Sequence, residues 1–326
     1  MAAGLPVKEV GDMGKRLEKM RLLPLFALTA ATSLVAVGFT GCSTMINNAV
    51  ANALTGGGAA AVFTEDSDPE LVRDALPFAI KMYEALLFST PRHQGLMLTT
   101  GSLFIMYANA FVQGPAEMLP FYEWEAREEG LARAKQLYLR GHRILLNALE
   151  QRHRGFTSAG QSVEAMQSFA QRFRPRDVPF LYWAVASGLA AFSLDVFDFD
   201  LAANIPVWHV MIERAFELDP DFDGLDEFLL LYFASLPESL GGDRERARFH
   251  FERAMARSGG NSTAALISYA RAISVREHDF DTFEELLERV LAINPDDNPS
   301  TRLVTILDQR KARWLLYNAD DFFPPL

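Results

Sequence analysis

A periodic apolar pattern, repeated from residue 68 almost to the C-terminus, constrains this chain more than any other feature. Apolar residues recur at spacings of three and four, the period of helices with one buried face, and strand-like alternation is rare. Most connections carry proline, glycine, aspartate or asparagine, as short helix–helix linkers do. The expected helices lie near 70–88, 92–113, 116–128, 130–151, 161–172, 178–194, 200–218, 224–235, 243–257, 262–277, 280–293 and 299–318. The sequence therefore predicts an all-α fold.

A short pattern of small and aromatic residues, Ala-x3-aromatic-x2-small, recurs along these helices. The closest copies are Ala134-Tyr138-Gly141 and Ala247-Phe251-Ala254, and looser copies precede Pro220 and Pro295. Marker positions 215, 254 and 290 are 39 and 36 residues apart. Small residues let antiparallel helices approach closely, the aromatic side chain fills the groove, and proline ends the second helix. The pattern resembles degenerate tetratricopeptide repeats and predicts a helical solenoid, or superhelix.

The first 64 residues differ from the rest. Five basic residues precede an uncharged run from Leu22 to Gly41, which ends directly before Cys42, the single cysteine. A basic region, an apolar run and small residues before a cleavage point form a secretory signal, and the cysteine makes it resemble a bacterial lipoprotein signal. We predict a signal peptide at 1–41, a lipidated flexible tether at 42–64, and a single all-α tetratricopeptide-like domain at 65–326.

An uncleaved transmembrane anchor is the alternative for this N-terminal run, because twenty apolar residues can span a bilayer. Pro24 and several hydroxyl side chains interrupt the run, and Cys42 stands where a lipoprotein signal requires it. We therefore favour a protein held at a membrane through lipidated Cys42. The sequence leaves open whether that membrane is the inner or the outer one.

Two expected helices, 95–116 and 178–194, contain no charged residue. A helix that is apolar all round is buried centrally or lies in a membrane, and the polar side chains of 95–116 favour burial. One interpretation is a plain core. The other is an internal apolar cleft with a few polar groups, the usual composition of a ligand site. The candidate cleft residues are Tyr107, Asn109, Tyr182, Trp183 and Trp208.

The net charge of the chain and the motifs that it lacks argue against several classes of function. With 42 acidic and 31 basic residues the net charge is −11, which argues against nucleic-acid binding. The six histidines lack metal-ligand spacing, and no phosphate loop, dinucleotide fingerprint or serine elbow occurs, so we expect no metal, no cofactor and no enzyme. A local basic excess is either a set of solvated helix ends or a surface that steers an acidic partner or carboxylate ligand. Its members are Arg140, Arg143, Arg152, Arg154, Arg172, Arg174 and Arg176.

Five segments carry a more specific resemblance. They are Val207–Pro220, Leu236–Asp243, Phe249–Ala254, Phe283–Pro295 and Arg310–Phe323. In these segments the chain resembles the TatT family, the lipoprotein T components associated with tripartite ATP-independent periplasmic (TRAP) transporters. The resemblance covers roughly Cys42 to the C-terminus and is strongest from Tyr182 onward.

The resemblance implies a non-enzymatic periplasmic lipoprotein with cryptic tetratricopeptide-like repeats. It also implies a homotrimer, a pore or cleft in each protomer, and binding to the P component, the substrate-binding protein of the transporter. The expected function is a transport accessory that holds or relays a hydrophobic or organic-acid ligand. The alternative is a tetratricopeptide-type scaffold for envelope protein assembly without ligand passage.

Overall fold

Helix follows helix through residues 61–323, the part of the chain that this computed structural model describes, and no strand occurs there. The all-α prediction is confirmed for that part. The repeat solenoid stays a prediction, as does the division into signal, tether and domain. Cys42, the signal peptide and residues 42–60 of the expected tether lie outside the described residues.

The α-helices are numbered in chain order. They are α1 (Ala61–Thr64), α2 (Pro69–Ser89), α3 (Gln94–Glu117), α4 (Trp124–Arg152), α5 (Phe156–Ala159), α6 (Val163–Ala170), α7 (Val178–Ser193), α8 (Phe199–Leu218), α9 (Leu225–Ser235), α10 (Arg244–Arg257), α11 (263–277), α12 (Phe280–Ala292), α13 (Arg302–Tyr317) and α14 (Ala319–Phe322). Helices α3 and α11 each contain one π turn, at Asn109–Gln113 and Ala270–Ser274.

Side-chain caps fix where several helices begin. The Asp68 carboxylate accepts hydrogen bonds from the backbone N–H groups of Glu70 and Leu71, both at 3.0 Å, and Pro69 occupies the first helical position of α2. These contacts satisfy donors that a helix leaves unpaired at its first turn. Asp198 caps α8 in the same way. Local sequence therefore sets these boundaries, and they agree closely with the expected ones.

The expected division at 116–128 and 130–151 is wrong. Helix α3 continues to Glu117, Pro120 precedes a short 3-10 turn, and α4 then runs unbroken from Trp124. Gly130 does not end a helix, because it lies inside α4 where α4 passes close to α3. A Cβ atom at Gly130 would lie 2.6 Å from the Cβ of Ala116. The glycine marks a close approach between helices.

The two uncharged helices, α3 and α7, both pack against α4 and also contact each other. Leu96 and Phe104 of α3, like Leu181 and Val185 of α7, are almost fully buried. Their prediction as buried helices is confirmed. Helix α3 is long and apolar enough to cross a membrane, but more than half of its most apolar stretch is buried inside the protein.

The last helices return to the first. Helices α9 to α13 pack successively, and α13 contacts both α1 and α2. The Arg310 guanidinium of α13 pairs with the Glu70 carboxylate of α2, with N–O distances of 2.5 and 3.1 Å. Arg302 donates to the backbone oxygen of Glu65 at 2.7 Å. The N-terminal part of the described chain therefore depends on its C-terminal part for packing.

Candidate functional site

A chain of polar side chains starts in the π turn of α3. The Tyr138 hydroxyl of α4 donates to Gln113 Oε1 at 2.6 Å, and Gln113 Nε2 donates to Glu117 Oε1 at 2.6 Å. The Asn109 side chain also hydrogen-bonds the Tyr138 hydroxyl. π turns are rare and frequently lie at functional sites. This one brings Asn109 and Gln113 to the same tyrosine.

Glu117 connects this chain to the C-terminal helices. Its Oε2 lies 3.3 Å from Lys311 Nζ of α13 and 3.6 Å from a guanidinium nitrogen of Arg271. Arg271 lies in the second π turn. Burial alone raises the pKa of Glu117, but the charges of Lys311 and Arg271 and the hydrogen bond from Gln113 together lower it. Glu117 is therefore ionised at neutral pH.

Asp308 extends the chain along α13. Its carboxylate accepts a hydrogen bond from the Thr263 hydroxyl at 2.6 Å, and burial raises its pKa to about 6. Burial also lowers the pKa of the Lys311 ammonium. Burial therefore disfavours the charged form of both side chains, Asp308 and Lys311.

We call these side chains the Glu117 network. Its members are Asn109, Gln113, Glu117, Tyr138, Thr263, Arg271, Asp308 and Lys311. Its side-chain contacts join α3 and α4 to α11 and α13. Glu117 and Lys311 are partly exposed, with 17% and 24% of their side-chain surface accessible.

Tyr107 lies two residues before Asn109, the first member of this network along the chain. The Tyr107 ring is buried, with its centroid 6.0 Å from that of Phe111 and 5.9 Å from the Arg133 guanidinium carbon. Asn109 is exposed at the start of the π turn. One end of α3 therefore presents an aromatic ring and an amide next to the network.

The other three candidate cleft residues lie elsewhere. Tyr182 and Trp183 pack edge to face on α7, with ring centroids 5.0 Å apart, and Tyr182 also packs against Phe222 at 5.2 Å. Trp208 of α8 is 3% exposed and covers Gly188, where a Cβ atom would lie 2.5 Å from the indole. The five candidates thus fall into three groups. Their assignment to one ligand cleft stays a prediction.

His142 packs with Trp208 in the interior. Its Nδ1 lies 2.9 Å from the backbone oxygen of Ala184 and 3.0 Å from Ser187 Oγ. Burial lowers the pKa of His142 to about 4, so the ring is neutral at physiological pH. Across residues 61–323, no group of three His, Cys, Asp or Glu side chains is arranged to hold a metal ion.

The sequence analysis missed most of the Glu117 network. One local signal was present: Glu117 is the first charged residue after the uncharged run 95–116. Its partners Arg271 and Lys311 lie more than 150 positions further along the chain, so neither spacing nor periodicity could connect them. Asn109 is the one member that the sequence analysis proposed as a site residue.

The described helices define an all-α protein built by successive packing of helices. A sequence model of the family described as TRAP transporter T-component matches residues 65–323. An uncharacterized protein of Treponema pallidum (strain Nichols) is 40% identical over 266 residues, which cover 80% of this chain and 82% of that protein. The chain belongs to the TRAP transporter T-component family, and the resemblance drawn from the sequence is confirmed. Membership in this family implies that the chain is an accessory component of a TRAP transporter.

Proposed function

We propose that this chain is a non-enzymatic periplasmic lipoprotein, anchored through Cys42, that binds the P component of a TRAP transporter. It holds or relays a hydrophobic or organic-acid ligand through an internal cleft or pore, and it acts as a homotrimer. The Glu117 network is the observation that carries the ligand part of the proposal. It combines two cations, Lys311 and Arg271, with hydrogen-bonding amide and hydroxyl groups, and such groups can bind the carboxylate of an organic acid.

Binding to the P component is the first expected result. The full chain, purified in detergent, is titrated calorimetrically with the P component of the same transporter. We expect saturable binding with a Kd of about 1 μM or below, which corresponds to about −8 kcal/mol. A substrate-binding protein of an unrelated transporter is the control and is expected not to bind. If the chain does not bind the P component, either with or without its substrate, the proposed partner is wrong. The alternative function, a scaffold for envelope protein assembly, would then be favoured.

A second expected result concerns the cleft candidates. A double variant, Trp183→Ala with Asn109→Leu, removes a partly buried aromatic surface and a polar group. We expect the amount of co-purifying small molecules bound to this variant to be at least tenfold lower than for the wild type. A contact that contributes about 1.4 kcal/mol changes the affinity tenfold when it is lost. Native mass spectrometry measures the bound fraction.

The matched control is Tyr317→Ala, since Tyr317 is an aromatic residue with 90% of its surface exposed. Its ligand content is expected to equal that of the wild type. If the double variant stays folded and retains both its ligand and its affinity for the P component, the cleft assignment is wrong.

A further inference from the structure

A group of arginines gathers where α4 ends and the connection from α6 to α7 passes beside it. We call it the basic cluster: Arg152, Arg154, Arg172, Arg174 and Arg176. Asp177 joins its two parts, because its Oδ1 accepts hydrogen bonds from Arg152 Nη2 at 2.6 Å and Nε at 2.9 Å. An open basin of about 290 Å³ lies here, lined by Arg152, His153, Arg176 and Asp177.

Most of this positive charge is not neutralised. Asp177 is fully buried and is already paired with Arg152 and His153. The nearby Glu150 carboxylate accepts hydrogen bonds from two backbone N–H groups and opposes part of the charge of Arg154. Within residues 61–323, no carboxylate forms a salt bridge with Arg154 or with the three arginines of the α6–α7 connection. The cluster is therefore a positive area on a protein whose net charge is −11.

Several of these side chains are held in place. The Arg172 guanidinium stacks over the Phe169 ring at 4.3 Å, and Arg152 stacks over Phe180 at 4.4 Å. Arg174 Nη1 donates to the backbone oxygen of Gln171 at 2.8 Å. Side chains ordered before binding lose less conformational entropy when a partner arrives. The cluster is therefore positively charged and also has several side chains that are already ordered before a partner binds.

The position of the cluster favours a protein over a membrane. Gln151, next to Arg152, donates to the backbone oxygen of Pro91 in the turn that follows α2. Ala61, the first described residue, lies eight positions before Pro69, where α2 begins. The 21 residues of α2 span about 31 Å at 1.5 Å per residue. The basic cluster therefore lies beside the C-terminal end of α2, whereas the chain that leads from the proposed anchor enters α2 at its N-terminal end.

We infer that the basic cluster is the docking surface for a carboxylate-rich face of the P component. This inference rests on the proposed function and names the face through which that binding occurs. Guanidinium groups pair with carboxylates through two parallel hydrogen bonds, and the open basin admits an extended acidic face more readily than it encloses a small anion. Unpaired charge of one sign also attracts an oppositely charged partner from a distance. Its main effect is therefore on the association rate, and less on the affinity.

Charge reversal tests the surface. The triple variant Arg154→Glu, Arg174→Glu, Arg176→Glu changes exposed arginines without carboxylate partners and leaves Arg152, Arg172 and Asp177 intact. Stopped-flow or surface-plasmon measurements on the full chain give the association rate with the P component over a range of salt. We expect the rate to fall at least tenfold at about 50 mM salt, where charges act over longer distances, and to depend less on salt.

The matched control reverses three other exposed arginines, Arg244→Glu, Arg289→Glu and Arg313→Glu, and so produces the same net charge. Its association rate is expected to stay within about threefold of the wild type, because steering depends on charges close to the docking face. If the association rate falls equally in both variants, or does not fall in the cluster variant, the inference is wrong. Binding of the P component by the wild type would still support the proposed function. If the wild type does not bind the P component, the proposed function fails and this inference fails with it.

Binding to vesicles that contain phosphatidylglycerol tests whether the basic cluster recognises lipid headgroups. The inference expects the cluster variant to bind such vesicles as the wild type does. If it loses vesicle binding and keeps the wild-type association rate with the P component, the surface recognises phosphate headgroups instead, and the inference is wrong.

Discussion

Replacing Gly141 by alanine is expected to destabilise the protein by about 1–3 kcal/mol, the usual cost of overpacking a tight interface. A Cβ atom at Gly141 would lie 2.7 Å from the backbone oxygen of Gly101 and 3.2 Å from side-chain atoms of Phe104 and Ile105. A backbone oxygen cannot rotate away as a side chain can, so α3 and α4 must separate. Thermal unfolding followed by circular dichroism is expected to show a Tm lowered by about 3–10 °C.

Gly160→Ala is the matched control for this substitution. The nearest atoms to a Cβ there are backbone oxygens at 3.5 and 3.6 Å, which is ordinary contact, and the φ angle of Gly160 is −67°. Its stability is expected to stay within about 0.5 kcal/mol of the wild type, as for a substitution away from tight packing. Equal Tm values for the two variants would show that the α3–α4 crossing tolerates a methyl group.

Replacing Asp177 by alanine is expected to cost more, about 3–5 kcal/mol, because it leaves charged and polar partners buried without their carboxylate. Only 17% of the Arg152 side chain and 11% of the His153 side chain are exposed. The backbone N–H of Arg174 also loses its acceptor, Asp177 Oδ2, at 2.9 Å. Urea unfolding measures the loss.

The control for this loss is Asp74→Ala. Asp74 pairs with Arg73 at the surface, where the two side chains are 70% and 48% exposed. Exposed pairs of this kind contribute about 0–1 kcal/mol, so a small change is expected. Similar losses at Asp74 and Asp177 would contradict the structural role given to the buried carboxylate.

The pH dependence gives the Asp177 prediction a second measurement. Burial raises the pKa of Asp177, but hydrogen bonds from Arg152, the Arg174 backbone and His153 lower it below its ordinary value. A carboxyl group whose pKa is lower in the folded state stabilises the fold above the unfolded pKa of about 4, and this contribution is lost as pH falls through the folded pKa. The stability of Asp177→Asn is therefore expected to change less below pH 4 than that of the wild type.

The helices could be predicted because their signals are local. Asp68 and Pro69 mark the start of α2 within three residues of sequence, and the uncharged composition of α3 and α7 indicates their burial. The expected break between 116–128 and 130–151 lay next to Gly130, and a glycine inside a helix resembles a helix end until the neighbouring helix is known. The close contact with Ala116 that explains it depends on how two helices cross.

The candidate site could be predicted only in part, for the same reason. The arginines of the basic cluster occupy two short stretches of sequence, so their grouping could be predicted. The Glu117 network was not visible, since Glu117 and Lys311 are 194 residues apart and meet only after folding. Side chains that meet across such distances leave no periodic trace in one sequence.

Contact between α2 and α13 has a consequence for biosynthesis. The Arg310–Glu70 contact joins residues that are 240 positions apart. The α2 surface that α13 covers therefore stays exposed until the C-terminal helices have also been made and folded. A premature stop codon shortly before residue 302 would make this exposure permanent, and the shortened product would be a substrate for chaperones and proteases.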